Sequence, residues 1–132
     1  VKLSNGKNVW LKNTGFNLEK SLYWRGSQGY ESLTMELIEK IVPVCDWFID
    51  VGANSGYFSI VASAINSKLR VVAFEPIADF RNIIKENAYK NGLNIIIQSE
   101  AVSDYVGQVD FFMPTQGSGN IYSSSIKLNH YN

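Results

Sequence analysis

Apolar and polar positions change period along this chain, and each change marks an element. Val1-Lys2-Leu3-Ser4 and Lys7-Asn8-Val9-Trp10-Leu11 alternate around Asn5-Gly6, a dipeptide that favours the positive φ angles of a tight turn, so an N-terminal β-hairpin is predicted. From Glu31 to Val42 the residues Leu33, Leu37, Ile38, Ile41 and Val42 fall at helical spacing, and Pro43 forbids continuation. Cys45 to Val51 reads as a strand whose apolar run suits a central parallel strand buried on both faces. After Gly56, the residues Tyr57, Phe58, Val61, Ala64 and Ile65 trace one face of a helix that Asn66 and Ser67 end. A second strand follows at Leu69 to Phe74. A further helix, Ile77 to Tyr89, places Phe80, Ile83, Ile84 and Ala88 together ahead of Asn91-Gly92, which suits a left-handed cap. Asn94 to Gln98 is the third strand. Two strand-helix-strand crossovers in succession predict an α/β fold with a parallel, Rossmann-like sheet. Ala101 to Val106 and Gln108 to Met113 flank Gly107 as an antiparallel excursion, and Thr115 to Ser125 reads as a loop. Residues 1–30 are thus a hairpin and connection, and residues 31–132 the main domain.

Composition narrows the partners. The chain has 132 residues, 45% of them hydrophobic and 13% aromatic, enough for one globular domain with a core. Twelve basic residues balance twelve acidic ones, and without a basic block neither nucleic acid nor a membrane surface is an expected partner. No apolar run approaches the roughly 18 residues of a membrane helix. Val1 to Asn13 is too polar for a secretory signal, so a cytoplasmic location is expected. Cys45 is the single cysteine and His130 the single histidine. Cysteine chemistry and a zinc site are therefore not indicated, and Val44 and Trp47 beside Cys45 suggest a buried apolar thiol. Trp10, Trp24 and Trp47 read as packing residues. Tyr23, Trp24, Arg25 and Tyr30 can form either a sugar-binding surface or an ordinary aromatic cluster, and the cluster is the expectation.

The candidate chemistry lies at the ends of the first two strands. Phe48-Ile49-Asp50-Val51-Gly52-Ala53-Asn54-Ser55-Gly56-Tyr57-Phe58 is a strand that ends in a carboxylate and breaks into a glycine turn opening a helix. Open α/β sheets receive nucleotide-like ligands at such a place. A dinucleotide fingerprint needs glycines where Asn54 and Tyr57 stand, and no Gly-Lys-Ser or Gly-Lys-Thr of a P-loop follows. Asp50 beside a helix N-terminus repels phosphate and attracts an ammonium or sulfonium group. Glu75, ending the second strand, can accept both hydroxyls of a ribose. Adenosine with a zwitterionic amino-acid tail meets both demands, and S-adenosylmethionine has that shape. Its amine would pair with Asp50, and its carboxylate with backbone N–H groups of Asn54 to Gly56.

These segments, with Val72-Ala73-Phe74-Glu75-Pro76, Asn87 and Asn91, and Ala101-Val102-Ser103-Asp104 with Gly107 and Phe111, resemble the FkbM-type S-adenosylmethionine-dependent methyltransferases over about residues 30–112. The resemblance implies a class I methyltransferase sheet and O-methylation of a hydroxyl on a sugar or other small metabolite, so the expected partner is a small-molecule or glycan acceptor. It implies cofactor contacts from Asp50, Gly52, Ala53, Asn54, Gly56, Tyr57, Glu75 and Pro76. Adenine contacts map onto Glu100, Ala101 and Val102, and Glu31 matches a glutamate carried ahead of the first strand. No catalytic residue is assigned. The family's next signature, a strand running Ile-Lys-Ile-Asp and then Glu-Gly, does not occur. The chain is therefore expected to be the N-terminal part of a larger domain, truncated after the third parallel strand and inactive alone. The first strand's unpaired edge would invite self-association. Two competing readings are a nucleotide-dependent oxidoreductase on a degenerate Rossmann turn and a non-catalytic interaction module.

Overall fold

The computed structural model describes residues 1–15, 17–104 and 106–108, together with the backbone of two short strands at 110–112 and 125–127. The chain divides into two compact units, Val1–Val102 and Ser103–Asn132.

In the first unit, helices α1 (Asn17–Arg25) and α2 (Ser32–Ile41) precede β1 (Trp47–Val51), α3 (Tyr57–Ile65), β2 (Arg70–Phe74), α4 (Ala78–Asn91) and β3 (Ile95–Gln98). The three strands form a parallel sheet in the order β1-β2-β3. That is the α/β arrangement the two predicted crossovers require. Helix α3 is buried nearly all round, with Ile60, Val61 and Ala62 fully enclosed. It packs against the sheet, α2 and α4, which explains why apolar residues spread beyond one face. Gly92 ends α4 at φ 64°, so its N–H can reach back to the helix carbonyls. Among the described residues no helix is long and apolar enough to cross a membrane.

Several expectations are corrected. The hairpin shrinks to a single bridge between Lys2 and Asn8. Its turn is closed by Gly6 N–H on Leu3 O, with Gly6 alone at positive φ. A three-residue loop with a glycine bulge replaces the Asn-Gly turn. Helix α1 was not anticipated, because only Leu18 and Leu22, one turn apart, face inward. In α2 the buried stripe is Met35 and Ile38, continued by Val42, while Leu33, Leu37 and Ile41 face solvent.

Strand β1 is buried on one face instead of two. It is an edge strand, and the described helices cover only the face bearing Phe48, Val71 and Ile95. On the opposite face Trp47, Ile49 and Val51 are 50%, 62% and 58% exposed, and Ile96 of β3 is 47% exposed. The tryptophans are not core residues either. Trp10 stands against Lys90 (5.8 Å), Trp47 against Arg70 (5.1 Å), and Trp24 is 80% exposed. Cys45 is half-buried, and its thiol donates to Ile41 O at 3.2 Å.

The second unit contains β4 (Asp110–Phe112) and β5 (Ser125–Lys127), paired antiparallel. The partner of residues 110–112 is therefore not the segment at 101–106, whose described residues form no strand. His130, and the loop expected at Thr115 to Ser125 apart from Ser125 itself, lie outside the described residues.

Candidate functional site

The parallel sheet sets Asp50 and Glu75 at the carboxyl ends of neighbouring strands. Register pairs Asp50 with Ala73 and Val51 with Phe74, so Glu75 follows directly beside the β1 exit. The backbone then locks the turn. Phe74 O accepts from both Gly52 N–H (2.9 Å) and Ala53 N–H (3.0 Å), and Gly56 N–H donates to Ala53 O (2.7 Å). Asn54 sits at φ 51°, a left-handed conformation uncommon for a side chain with a Cβ.

The two carboxylates have distinct surroundings. Asp50 Oδ2 accepts from the Ser59 hydroxyl at 2.7 Å. Burial raises the Asp50 pKa, the Ser59 hydroxyl and backbone amide oppose that rise, and the charge of Glu75 adds to it. Ser59 occupies the third position of α3, whose N-cap, Gly56, has no side chain to offer. Asp50 supplies from β1 the acceptor that a capping side chain otherwise gives. Glu75 is only 4% exposed. Its Oε2 accepts from Asn54 N–H and its Oε1 from Ile77 N–H, both at 2.8 Å. The Glu75 side chain thus ties the β1 turn to the β2 turn, and one lone pair on each oxygen is left for another donor.

The glycines do different work. Gly52 (φ 75°) is exposed, and a Cβ placed on it would meet nothing within 4 Å. Gly56 (φ 80°) is buried, and a Cβ there would come 2.8 Å from Ile84 Cγ1. Gly52 leaves its outer face open, whereas Gly56 lets α4 approach the turn. The amides expected to hold a ligand carboxylate are already engaged. Asn54 N–H donates to Glu75, Ser55 N–H to Asn54 Oδ1 (2.7 Å), and Gly56 N–H to Ala53 O.

Of the remaining predicted site residues, Ala53, Tyr57 and Pro76 belong to the two turns, whereas Glu31 stands at the start of α2 and Glu100 to Val102 lie beyond the end of β3. Ala53 is buried beside Ala73 and Ile84. Tyr57 begins α3 and donates to Ser27 O at 3.2 Å, and burial raises its pKa. Tyr30 packs against Tyr57 and Phe58, with ring centroids 6.3 and 6.2 Å apart. Its neighbour Glu31 starts α2 at φ 43° and accepts from the Thr34 hydroxyl. Pro76 O accepts from the Arg81 guanidinium at 2.5 Å. Glu75 N–H donates to Gln98 O, which brings the end of β3 alongside, and Glu100, Ala101 and Val102 follow it, with Glu100 and Val102 exposed.

Asn87 and Asn91 have roles that sequence spacing did not disclose. Asn87, 1% exposed, donates to Ser55 O at 2.9 Å and accepts from Lys12 N–H at 2.8 Å. Asn91 both donates to and accepts from the Trp10 backbone at 2.7 Å. Together they hold the N-terminal arm and the glycine turn to α4. Their one-turn spacing places them on a single helix face, but names none of the distant backbone groups they reach.

Compared with known proteins, the chain matches no family model and no curated protein.

Proposed function

We propose that this chain carries the cofactor-binding half of an S-adenosylmethionine-dependent methyltransferase, acting by O-methylation of a hydroxyl on a sugar or other small metabolite. The observation that carries the reading is the pairing of Asp50 and Glu75 at adjacent strand ends. They leave the sheet from paired neighbouring strands beside the turn that holds Gly52, where an added Cβ would meet nothing within 4 Å. Among the described residues neither carboxylate is in a salt bridge, and the nearby Arg81 guanidinium donates to the Glu75 and Pro76 carbonyls, so the pair favours a positively charged ligand and disfavours a diphosphate. S-adenosylmethionine supplies an activated methyl group on a sulfonium.

The residues suit that cofactor unevenly. Asp50 would face its ammonium, and Gly52 admits close approach. Glu75 would take the ribose hydroxyls through the lone pairs its two backbone donors leave free, which requires a small opening of the turn around a side chain now almost fully enclosed. The cofactor's carboxylate would need donors other than the engaged amides of Asn54 to Gly56. Transfer would be governed by holding acceptor oxygen and methyl carbon in line, with a base assisting a neutral hydroxyl.

Calorimetric titration with S-adenosylhomocysteine tests the reading. Saturable binding should weaken at least tenfold, about 1.4 kcal/mol, in Asp50→Asn, which retains an acceptor for Ser59, and in Glu75→Gln. A second reading, a scaffold without cofactor, draws on the same geometry, because both Glu75 oxygens and one Asp50 oxygen already have protein donors. It requires no heat and no ligand-induced rise in stability. Binding of reduced nicotinamide in place of S-adenosylhomocysteine would point to the oxidoreductase.

A further inference from the structure

A cavity of about 690 Å³ lies between the N-terminal arm and α1, lined among others by Lys2, Asn13, Glu19, Lys20, Tyr23 and Trp24. Three features of its wall are unexplained by folding. Tyr23 and Trp24 are each 80% exposed, although they meet edge to face at 5.1 Å. The pair therefore offers open aromatic faces to a ligand at the mouth of the cavity. Glu19 Oε1 accepts from the Thr14 hydroxyl at 2.8 Å, but Oε2 is closed off from water and has no hydrogen-bond partner among the described residues. A buried carboxylate oxygen without a donor is costly, and a ligand hydroxyl satisfies it once the Glu19 side chain turns toward the cavity it lines. Finally, two lysines against one glutamate leave the lining cationic.

We propose that this cavity binds a saccharide bearing an acidic group. A pyranose ring presents an apolar face to Trp24 and Tyr23, its hydroxyls donate to Glu19 and exchange hydrogen bonds with Asn13, and its carboxylate meets Lys2 and Lys20. The volume lies within the range of small-ligand sites, roughly 300–1,000 Å³. A neutral apolar ligand leaves Glu19 unsatisfied and the lysines unused. A cationic ligand is repelled by the lysines. The site is separate from Asp50 and Glu75, and the proposal stands whether or not the glycine turn holds a cofactor.

Tryptophan fluorescence titration of the 132-residue chain with glucuronic acid, with glucose as the neutral control, is the test. Saturable binding of glucuronic acid, at least tenfold tighter than glucose, is expected. Trp24→Ala should abolish the fluorescence response. Glu19→Gln should weaken glucuronic acid tenfold or more, and Lys2→Ala with Lys20→Ala should remove the preference over glucose. Trp24 and Lys20 are exposed, so their variants retain the fold, and circular dichroism confirms it. Absence of glucuronic acid binding by the folded chain, equal binding of glucose, or full binding by Trp24→Ala would each overturn the proposal. S-adenosylhomocysteine titration of Trp24→Ala separates the two sites, since its result should equal that of the native chain.

Discussion

Replacing each of the two turn glycines by alanine should separate backbone strain from packing. Gly52 and Gly56 have nearly the same φ, 75° and 80°, so the left-handed backbone costs an added Cβ about 1–2 kcal/mol at either position. At Gly52 nothing lies within 4 Å of that Cβ, and the cost stops there. At Gly56 the Cβ meets Ile84 Cγ1 at 2.8 Å and Cγ2 at 3.1 Å. Ile84 is fully buried and cannot swing away. Overpacking of this kind adds about 1–3 kcal/mol, so Gly56→Ala should lose roughly 2–5 kcal/mol in all. Urea unfolding followed by circular dichroism resolves the difference. With a slope of about 1–3 kcal/mol per molar, the Gly56→Ala midpoint should fall further than that of Gly52→Ala by about 1 M. The slopes should match, because neither change alters the surface exposed. Equal losses in the two variants would refute the contact between the turn and α4. The binding consequence should be inverted, with Gly52→Ala lowering S-adenosylhomocysteine affinity more than stability, because its methyl projects into the open face.

Three further outcomes are expected. The Asp50 pKa is raised in the folded state, chiefly by burial. Its contribution to stability is therefore fully present below its ordinary value of 3.8 and is lost as pH rises through the folded value. Urea midpoints at pH 3.5 and 6 should show Asp50→Asn gaining on the native chain as pH rises, and a gap constant with pH would contradict this. Asn87→Ala removes bonds to Ser55 O and Lys12 N–H at a site 1% exposed. It should cost about 1–3 kcal/mol or more and should speed hydrogen exchange at Lys12. Protection at Lys12 equal to that of the native chain would count against the clamp. The edge of β1, unpaired among the described residues, and the exposed Trp47, Ile49 and Val51 should make the chain associate as its concentration rises. Light scattering should detect this, and Ile49→Lys should suppress it.

Much of the parallel sheet was legible because its signals are local. Side-chain direction in a strand or helix follows from period alone, so two apolar runs separated by a helical pattern sufficed for the β1-α3-β2-α4-β3 path, and Gly92 announced the end of α4. The same local logic brought Asp50 and Glu75 to neighbouring strand ends, since each closes its own strand. Helix α1 escaped it because two leucines among polar and aromatic neighbours make too thin a stripe.

What the amino-acid order determined by itself, then, was the succession of elements from α2 to β3, the parallel sheet and the placing of two acids beside a glycine turn. Only the tertiary structure decided that β1 is an edge strand open on one face, that Met35 and not Leu33 turns inward, and that Asp50 caps α3 through Ser59 while Glu75 joins two turns. It alone set Gly56 against Ile84 and bound Asn87 to Lys12, 75 residues away. The physical reason is that a residue's own element fixes the direction of its side chain, but burial and hydrogen bonding depend on which distant segment arrives to meet it.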